Sequence, residues 1–353
     1  MLRFALVGCG RIAVRHAELL GAQHVPGAEL AAVCDLDIAK ARDLGTKHGV
    51  PYFDSIGSMM SSETPIDAVS VLTESGNHAS NVLELAPFGL PLLVEKPMAL
   101  TLDDADAMIR ACAENDARLF VVKQNRFNVP IVKVRDALES GRFGKMVMGT
   151  VRVRWCRPQE YYDQADWRGT WALDGGVLTN QASHHIDVLE WMLGEVESVF
   201  AMSRTALVDI ETEDTAVVVL RFASGALGVI EATTATRPTD LEGSLSLLGE
   251  NGTVVVGGFA LNELQTWRFK DGPDDEEEMA SKFSVNPPDV YGFGHRTYYE
   301  HVVDCLQSGR PQLVDGLEGR KSLELISAIY ESIETGTEIS LRFRAKECRL
   351  GLA

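Results

Sequence analysis

The sequence predicts an α/β protein in two parts: a doubly wound parallel sheet over residues 1–124, then an α/β part over residues 125–353 built on a mainly antiparallel sheet. Two patterns carry this. In the first part short apolar runs alternate with helical periodicities, the rhythm of parallel strands joined by crossover helices. In the second, six extended runs follow one another without intervening helices, which calls for antiparallel pairing. A length of 353 residues suits two domains, each with its own core.

The apolar runs of the first part are Phe4–Val7, Leu30–Cys34, Ala68–Leu72, Leu92–Val94 and Leu119–Val122. Between them lie the helical stretches Arg11–Leu20, Ile38–His48, His78–Ala86 and Leu102–Ala113. Thr101, with Asp103 and Asp104 behind it, gives the last of these an N-cap and an acidic first turn. Beyond Val122, Pro130–Ser140 reads as helix and Met146–Trp155 as a long strand. A polar, aromatic loop follows, then a helix from about Val177 to Leu193. The successive strands are Val199–Val208, Thr215–Phe222, Leu227–Ala232, Ser244–Leu248, Thr253–Val256 and Leu264–Phe269, and helices near Tyr298–Gln307 and Glu318–Glu334 close the chain. Asp271–Glu278 carries six acids and no base and reads as a solvated loop.

The chain has 51 acidic and 33 basic side chains, a net charge of −18. Such an excess repels nucleic acid and anionic membrane, so neither is an expected partner. No apolar run approaches the length of a membrane span, and Leu2–Val7 meets Gly8 too soon for a signal peptide, so membrane insertion is not expected and the expected compartment is the cytoplasm. The six cysteines lie far apart with no C-x-x-C pair, and read as reduced thiols, not a disulfide frame or a metal site.

Gly8-Cys9-Gly10-Arg11-Ile12-Ala13 fits G-x-G-x-x-A between a strand and a helix. The first glycine permits a tight turn, the second lets backbone approach a pyrophosphate, and the small third residue lets helix pack on strand. Asp35 ends the second apolar run, where a carboxylate accepts from an adenosine ribose diol and repels a 2′-phosphate. The expected cofactor is therefore NAD. Glu95 and Lys96 follow the strand Leu92–Val94, at the end of the sheet where ligands of such folds bind, and Pro97 holds Lys96 extended. A partly desolvated ammonium there can hold a reacting hydroxyl or take its proton.

The run Asp174–Asp187, plotted as a helix, puts Leu178, Ala182, Ile186, Leu189 and Leu193 on one arc and Asn180, His184 and Asp187 on the other. His185 falls beside the apolar arc and reads as a packed, hydrogen-bonded core histidine. His184 faces water or a cleft, and can take a hydroxyl proton as hydride leaves the same carbon. Between 123 and 157 nine Lys/Arg stand against two Asp/Glu, a local excess of seven positive charges in an acidic chain. Such a segment can receive an anionic substrate or dissolve into internal ion pairs.

Together, G-x-G-x-x-A, Glu95-Lys96-Pro97 and the Gly-Gly followed by His184-x-x-Asp187 resemble the Gfo/Idh/MocA family of sugar oxidoreductases over essentially the whole chain. The resemblance implies an N-terminal Rossmann domain and a C-terminal α/β domain with a large open sheet that often forms the oligomer interface, a tetramer or dimer. It implies that Lys96 and His184 are catalytic, that Glu95 lies near the nicotinamide ribose, and that Thr73 and His78 belong to the cofactor cleft. Many members carry Asp four residues before the histidine; this chain has Asn180, which cannot hold a charge against an imidazolium.

Lys123–Asn128, Tyr161-Tyr162, Trp167–Trp171 and the Thr179–His185 run are similar to the WlbA-type branch, which oxidises C3 of UDP-N-acetylglucosaminuronic acid for lipopolysaccharide O-antigen. A diphosphate and a carboxylate call for arginine and lysine, and a uracil for aromatic stacking. On this reading Lys96, Arg126, Tyr161, Trp167, Arg168, Asn180 and His184 meet a UDP-sugar substrate. The alternatives are a dehydrogenase of a free sugar or cyclitol and a non-catalytic nicotinamide-binding protein.

Overall fold

The computed structural model describes residues 1–270, 272, 274–284 and 294–341. The first sheet consists of β1 (Leu2–Val7), β2 (Ala28–Cys34), β3 (Tyr52–Phe53), β4 (Ala68–Val71), β5 (Leu92–Val94) and β6 (Leu119–Val121). Their order is β3-β2-β1-β4-β5-β6, and every pair is parallel. The order reverses between β1 and β4, which opens a crevice at their carboxyl ends. Register then lines up the site: Val7 pairs with Val71, Val71 with Val94 and Val94 with Val121, so Gly8, Leu72, Glu95 and Val122 follow side by side. The helix Leu102–Glu114 starts as expected, with Thr101 Oγ1 accepting from the Asp104 N–H.

The second sheet has β7 (Met146–Arg154), β8 (Val196–Arg204), β9 (Thr215–Phe222), β10 (Leu227–Thr233), β11 (Glu242–Gly249), β12 (Gly252–Gly257), β13 (Glu263–Phe269) and β14 (Ile339–Ser340). The order β13-β12-β11-β7-β10-β9-β8-β14 is antiparallel except where β10 runs parallel to β7. Alternation explains its two faces. Val151, Val153, Val218, Leu220 and Ile230 point into a core shared with Ile186, Leu189 and Ile329 of the helices Ser183–Leu193 and Gly316–Thr335. The opposite face leaves Phe200, Met202, Val217, Val219, Leu227 and Leu248 exposed.

The chain returns to the first sheet at its end. Tyr298, Tyr299 and Val302 of the helix Gly294–Ser308 are buried with Phe4, Leu6 and Phe120, and Arg320 pairs with Asp106 at 2.6 Å. Two expectations fail locally. The acidic run contains a helix, Glu276–Phe283, because the Asp275 side chain caps it and three glutamates meet its positive end; Asp271 lies outside the described residues. The helix expected from Val177 begins only at Ser183, with turns from 177 to 181. The two-residue strands β3 and β14 were too short for periodicity to register.

Candidate active site

The glycine loop is fixed by crowding on one side and open on the other. Gly8 has φ +95°, and a Cβ there would lie 2.7 Å from the Leu72 carbonyl carbon and 2.8 Å from the Thr73 nitrogen. A Cβ on Gly10 would meet nothing within 4 Å. Gly10 is also the N-cap of the helix Arg11–Gly21 and gives it no side-chain cap, so the positive end of the helix faces the loop unobstructed by a capping side chain. Ala13 is buried against the sheet, whereas Arg11 is exposed and Ile12 half-buried. Asp35 accepts from the Cys9 N–H at 2.7 Å and the Asp37 N–H at 2.8 Å, which pins its carboxylate beside the loop. These residues fit the pyrophosphate and ribose of a dinucleotide.

Lys96 and Glu95 part company at the end of β5. Both were expected to face the crevice, but Glu95 turns inward: Oε1 lies 3.1 Å from His16 Nε2 and 3.5 Å from His295 Nε2, while Oε2 accepts the Lys96 N–H at 3.0 Å. His16 is held in turn by Tyr299, whose hydroxyl contacts Ser70. Although burial opposes ionisation, His16 and His295 hold the Glu95 carboxyl well below its usual range. The carboxylate therefore braces the Lys96 backbone from beneath. His78 pins the same turn from the side, its Nδ1 2.8 Å from the Pro97 carbonyl and its Nε2 3.0 Å from that of Thr73, and burial pushes its pKa down. The Thr73 hydroxyl donates to Asn81.

The Lys96 ammonium reaches across to the second half, donating to the Asn180 backbone carbonyl at 2.8 Å. Burial lowers its pKa, and Glu95 and Asp174 oppose that. The Asn180 amide donates to Asp174 at 2.6 Å, which leaves its Oδ1 for another donor. The Gly-Gly pair makes room for this loop: Gly175 has φ +82°, and a Cβ on Gly176 would run into the Glu213 carboxylate.

His184 is 9% exposed, more enclosed than the helical plot implied, because the helix starts later and its first turn packs under Gln124. Its Nε2 is 2.8 Å from Gln124 Nε2, and among the described residues neither its Nδ1 nor Gln124 Oε1 has a hydrogen-bond partner. As placed, the amide donates to Nε2; turned over, it accepts Nε2–H and Nδ1 becomes the basic atom. Burial first, then the ammoniums of Lys96 and Lys123, drive the His184 pKa far below its usual value, so the ring is neutral. His185 lies in the core as expected, edge-on to Trp155 at 5.8 Å, but among the described residues neither of its ring nitrogens has a partner in hydrogen-bond geometry, against the expectation of a hydrogen-bonded ring.

The basic segment is a correction. Arg126 is 3% exposed, with its guanidinium held by both Asp187 oxygens at 2.8 Å and by Glu318 at 2.9 Å. Lys123 donates to Ser322 and lies 3.4 Å from Asp187. Arg142 pairs with Asp274 and Arg157 with Asp240. Arg152 and Arg154 stand on the exposed face of the sheet against Glu231 and Glu242. What the sequence offered as an anion receiver is largely neutralised inside the molecule.

Arg168 is different. Its guanidinium lies 4.3 Å from the Tyr161 ring and 5.0 Å from that of Trp167, all three half-buried. Among the described residues no carboxylate lies within ion-pair distance and its Nε has no hydrogen-bond partner. Sequence reasoning missed Asp174, Gln124 and His16 as members of the site. Asp174, directly before Gly-Gly, and Gln124, inside the Lys123–Asn128 run, each had a signal in the sequence.

Comparison with known proteins follows the same outline. Residues 2–123 match the oxidoreductase family's NAD-binding Rossmann fold, and residues 135–341 match its C-terminal alpha/beta domain. The myo-inositol 2-dehydrogenase of Thermotoga maritima is 29% identical, covering 96% of this chain and 98% of that protein. The WlbA dehydrogenase of Bordetella pertussis, solved with NADH and UDP-GlcNAcA, is 44% identical with a TM-score of 0.91, covering 97% of this chain and 98% of that one. Its counterpart from Chromobacterium violaceum, solved with the same two ligands, is 42% identical with a TM-score of 0.89, covering 98% and 97%. The chain belongs to the Gfo/Idh/MocA oxidoreductase family and is an NAD-dependent dehydrogenase.

Proposed function

We propose that this enzyme oxidises the C3 hydroxyl of UDP-N-acetylglucosaminuronic acid to the 3-keto sugar, a step toward the diacetamido-uronic acids of lipopolysaccharide O-antigen. The observation that carries the reading is the whole-chain likeness to two WlbA dehydrogenases bound to that sugar nucleotide. The site supports it. Arg168, stacked on Tyr161 and Trp167 with no internal carboxylate partner among the described residues, offers charge and aromatic surface to a nucleotide diphosphate or a uronate.

Gly8, Gly10, Arg11, Ile12 and Asp35 hold NAD, with Thr73, His78 and Glu95 shaping the cleft beside it. Bound NAD supplies the hydride acceptor. Lys96 holds the reacting hydroxyl, Asn180 Oδ1 accepts from the sugar, and neutral His184 takes the hydroxyl proton. The exposed apolar face of the second sheet suits a second copy of the chain, hence a homotetramer or homodimer, and the enzyme works in the cytoplasm. No helix among the described residues is long and apolar enough to cross a membrane.

A cyclitol dehydrogenase is the rival reading, favoured by the 29% identity to the inositol enzyme. Absorbance at 340 nm decides between them, with NAD, substrate-level enzyme and a panel of UDP-sugars, free hexoses and inositol. Reduction by UDP-GlcNAcA is expected. Turnover of inositol without UDP-GlcNAcA would overturn the proposal.

A further inference from the structure

The carboxylate absent from position 180 has a counterpart elsewhere in the site. Asp174 is 2% exposed, and its two oxygens are fully directed: Oδ2 accepts the Gly169 N–H at 2.8 Å and Oδ1 the Asn180 amide at 2.6 Å. Gly169 follows Arg168 in the chain, and the carbonyl of Asn180 receives the Lys96 ammonium. One buried acid therefore ties together the arginine loop, the asparagine and the lysine. The same loop docks on the cofactor half, where the Gly76 N–H donates to the Leu173 carbonyl at 3.1 Å and a Cβ on Gly76 would strike Ala172 and Leu173.

We propose that Asp174 is a positioning residue for the dehydrogenase reaction: through Asn180 it fixes where Lys96 donates, and it is the second half's counter-charge to the Lys96 ammonium. The inference deepens the dehydrogenase reading and rests on Lys96 serving that reaction. Position 174 supplies the charge, and position 180 supplies the carbonyl that Lys96 meets.

The sign of the effect follows from the groups around Lys96. Glu95 and Asp174 favour its charged form, while burial and Lys123 oppose it; His78 and His184 are the other titratable neighbours. Burial raises the carboxyl pKa of Asp174, while the Gly169 N–H, the Asn180 amide, Lys96 and Arg168 favour its charged form; the hydroxyl of Tyr162 is the other titratable neighbour. Removing the Asp174 charge lowers the pKa of Lys96, so the limb of the kcat–pH profile that belongs to Lys96 moves to lower pH, whether the lysine acts as donor or as base.

The test compares Asp174→Asn with the exchange variant Asp174→Asn/Asn180→Asp. In the exchange the new amide still accepts from Gly169 and donates to position 180, so the hydrogen bonds survive and only the charge moves. Asp174→Asn is expected to lower kcat by roughly tenfold to a hundredfold, leave the KM for NAD in place, and shift the Lys96 limb down by about one pH unit. The exchange should return the limb to its wild-type position or above it. Loss of kcat with the limb unmoved would make Asp174 merely structural and overturn the proposal.

A second measurement needs no sugar. Competitive acetylation of Lys96 by acetic anhydride, followed across pH by mass spectrometry of its peptide, should show a lower titration midpoint in Asp174→Asn and the wild-type midpoint or a higher one in the exchange. Should the single variant fail to fold, a lower midpoint in the exchange variant overturns the proposal instead. If wild type does not oxidise UDP-GlcNAcA, the substrate reading fails while the Lys96 titration still decides the role of Asp174.

Discussion

Two stretches of the second half invite the same reading and receive opposite structures. Residues 123–157 hold a dense positive charge, and residues 158–171 hold one unpaired arginine among aromatic rings. In the fold the dense stretch is spent: Arg126 on Asp187 and Glu318, Arg152 and Arg154 on Glu231 and Glu242, Arg157 on Asp240. The sparse stretch keeps its charge, because no described carboxylate pairs with Arg168. Charge density along a chain does not set the potential at a site. What counts is which cations the tertiary structure leaves without a counter-ion where a ligand can enter.

The comparison breaks or holds on four measurements. The largest effect is expected from Arg126→Gln, which among the described residues leaves buried Asp187 with Lys123 at 3.4 Å as its remaining ion-pair partner. Breaking a buried pair of this kind costs about 3–5 kcal/mol. Chemical denaturation should show that loss while KM for the sugar nucleotide holds in the folded fraction; a raised KM with stability intact would return Arg126 to the substrate.

The turn after the Gly-Gly pair is tested by pH. Glu213 accepts from the Leu178 N–H and the Tyr330 hydroxyl at 3.0 Å, and burial pushes its pKa up to about 7. A raised carboxyl pKa stabilises the fold at low pH and loses that contribution as pH climbs through about 7. Wild type should lose on the order of 1–3 kcal/mol across that interval. Glu213→Gln should flatten the fall, and parallel stability–pH curves for the two would refute the assignment.

Arg168→Glu should raise the KM for a UDP-sugar by about 10- to 100-fold, the worth of a charge-assisted contact, and leave the melting temperature nearly unchanged. An unaltered KM would remove the contrast between the two stretches. The smallest effect belongs to Arg154→Gln, whose pair with Glu231 is partly exposed on the sheet. It should cost less than about 1 kcal/mol and leave KM alone; a KM effect equal to that of Arg168→Glu would mean that the face of the sheet takes part in binding.

Where the sequence is legible, the controlling interactions are local. Gly8, Gly10, Ala13 and Asp35 act within one strand–turn–helix unit and the strand beside it, so spacing alone placed them around one loop. The parallel sheet was legible for the same reason, since each strand and its crossover helix carry their own periodicity. The Thr101 cap needs only three residues. Asn180 marks the boundary: its identity could be read from the motif, yet its partner Asp174 could not, because turns from 177 to 181 replaced the expected helix and swung the amide toward the Gly-Gly loop.

By itself, then, the sequence determined the two-part α/β plan, the dinucleotide loop, the strand end that carries Lys96 and the core burial of His185. Tertiary structure decided which charges survive to act. Glu95 braces the Lys96 turn from below because His16 and His295 lie beneath it, and Arg126 is lost to Asp187 across 61 positions of chain. Arg168 stays available because its neighbours are rings. Electrostatic pairing depends on distance in space, and a buried charge must find its counter-ion wherever the packed chain brings one.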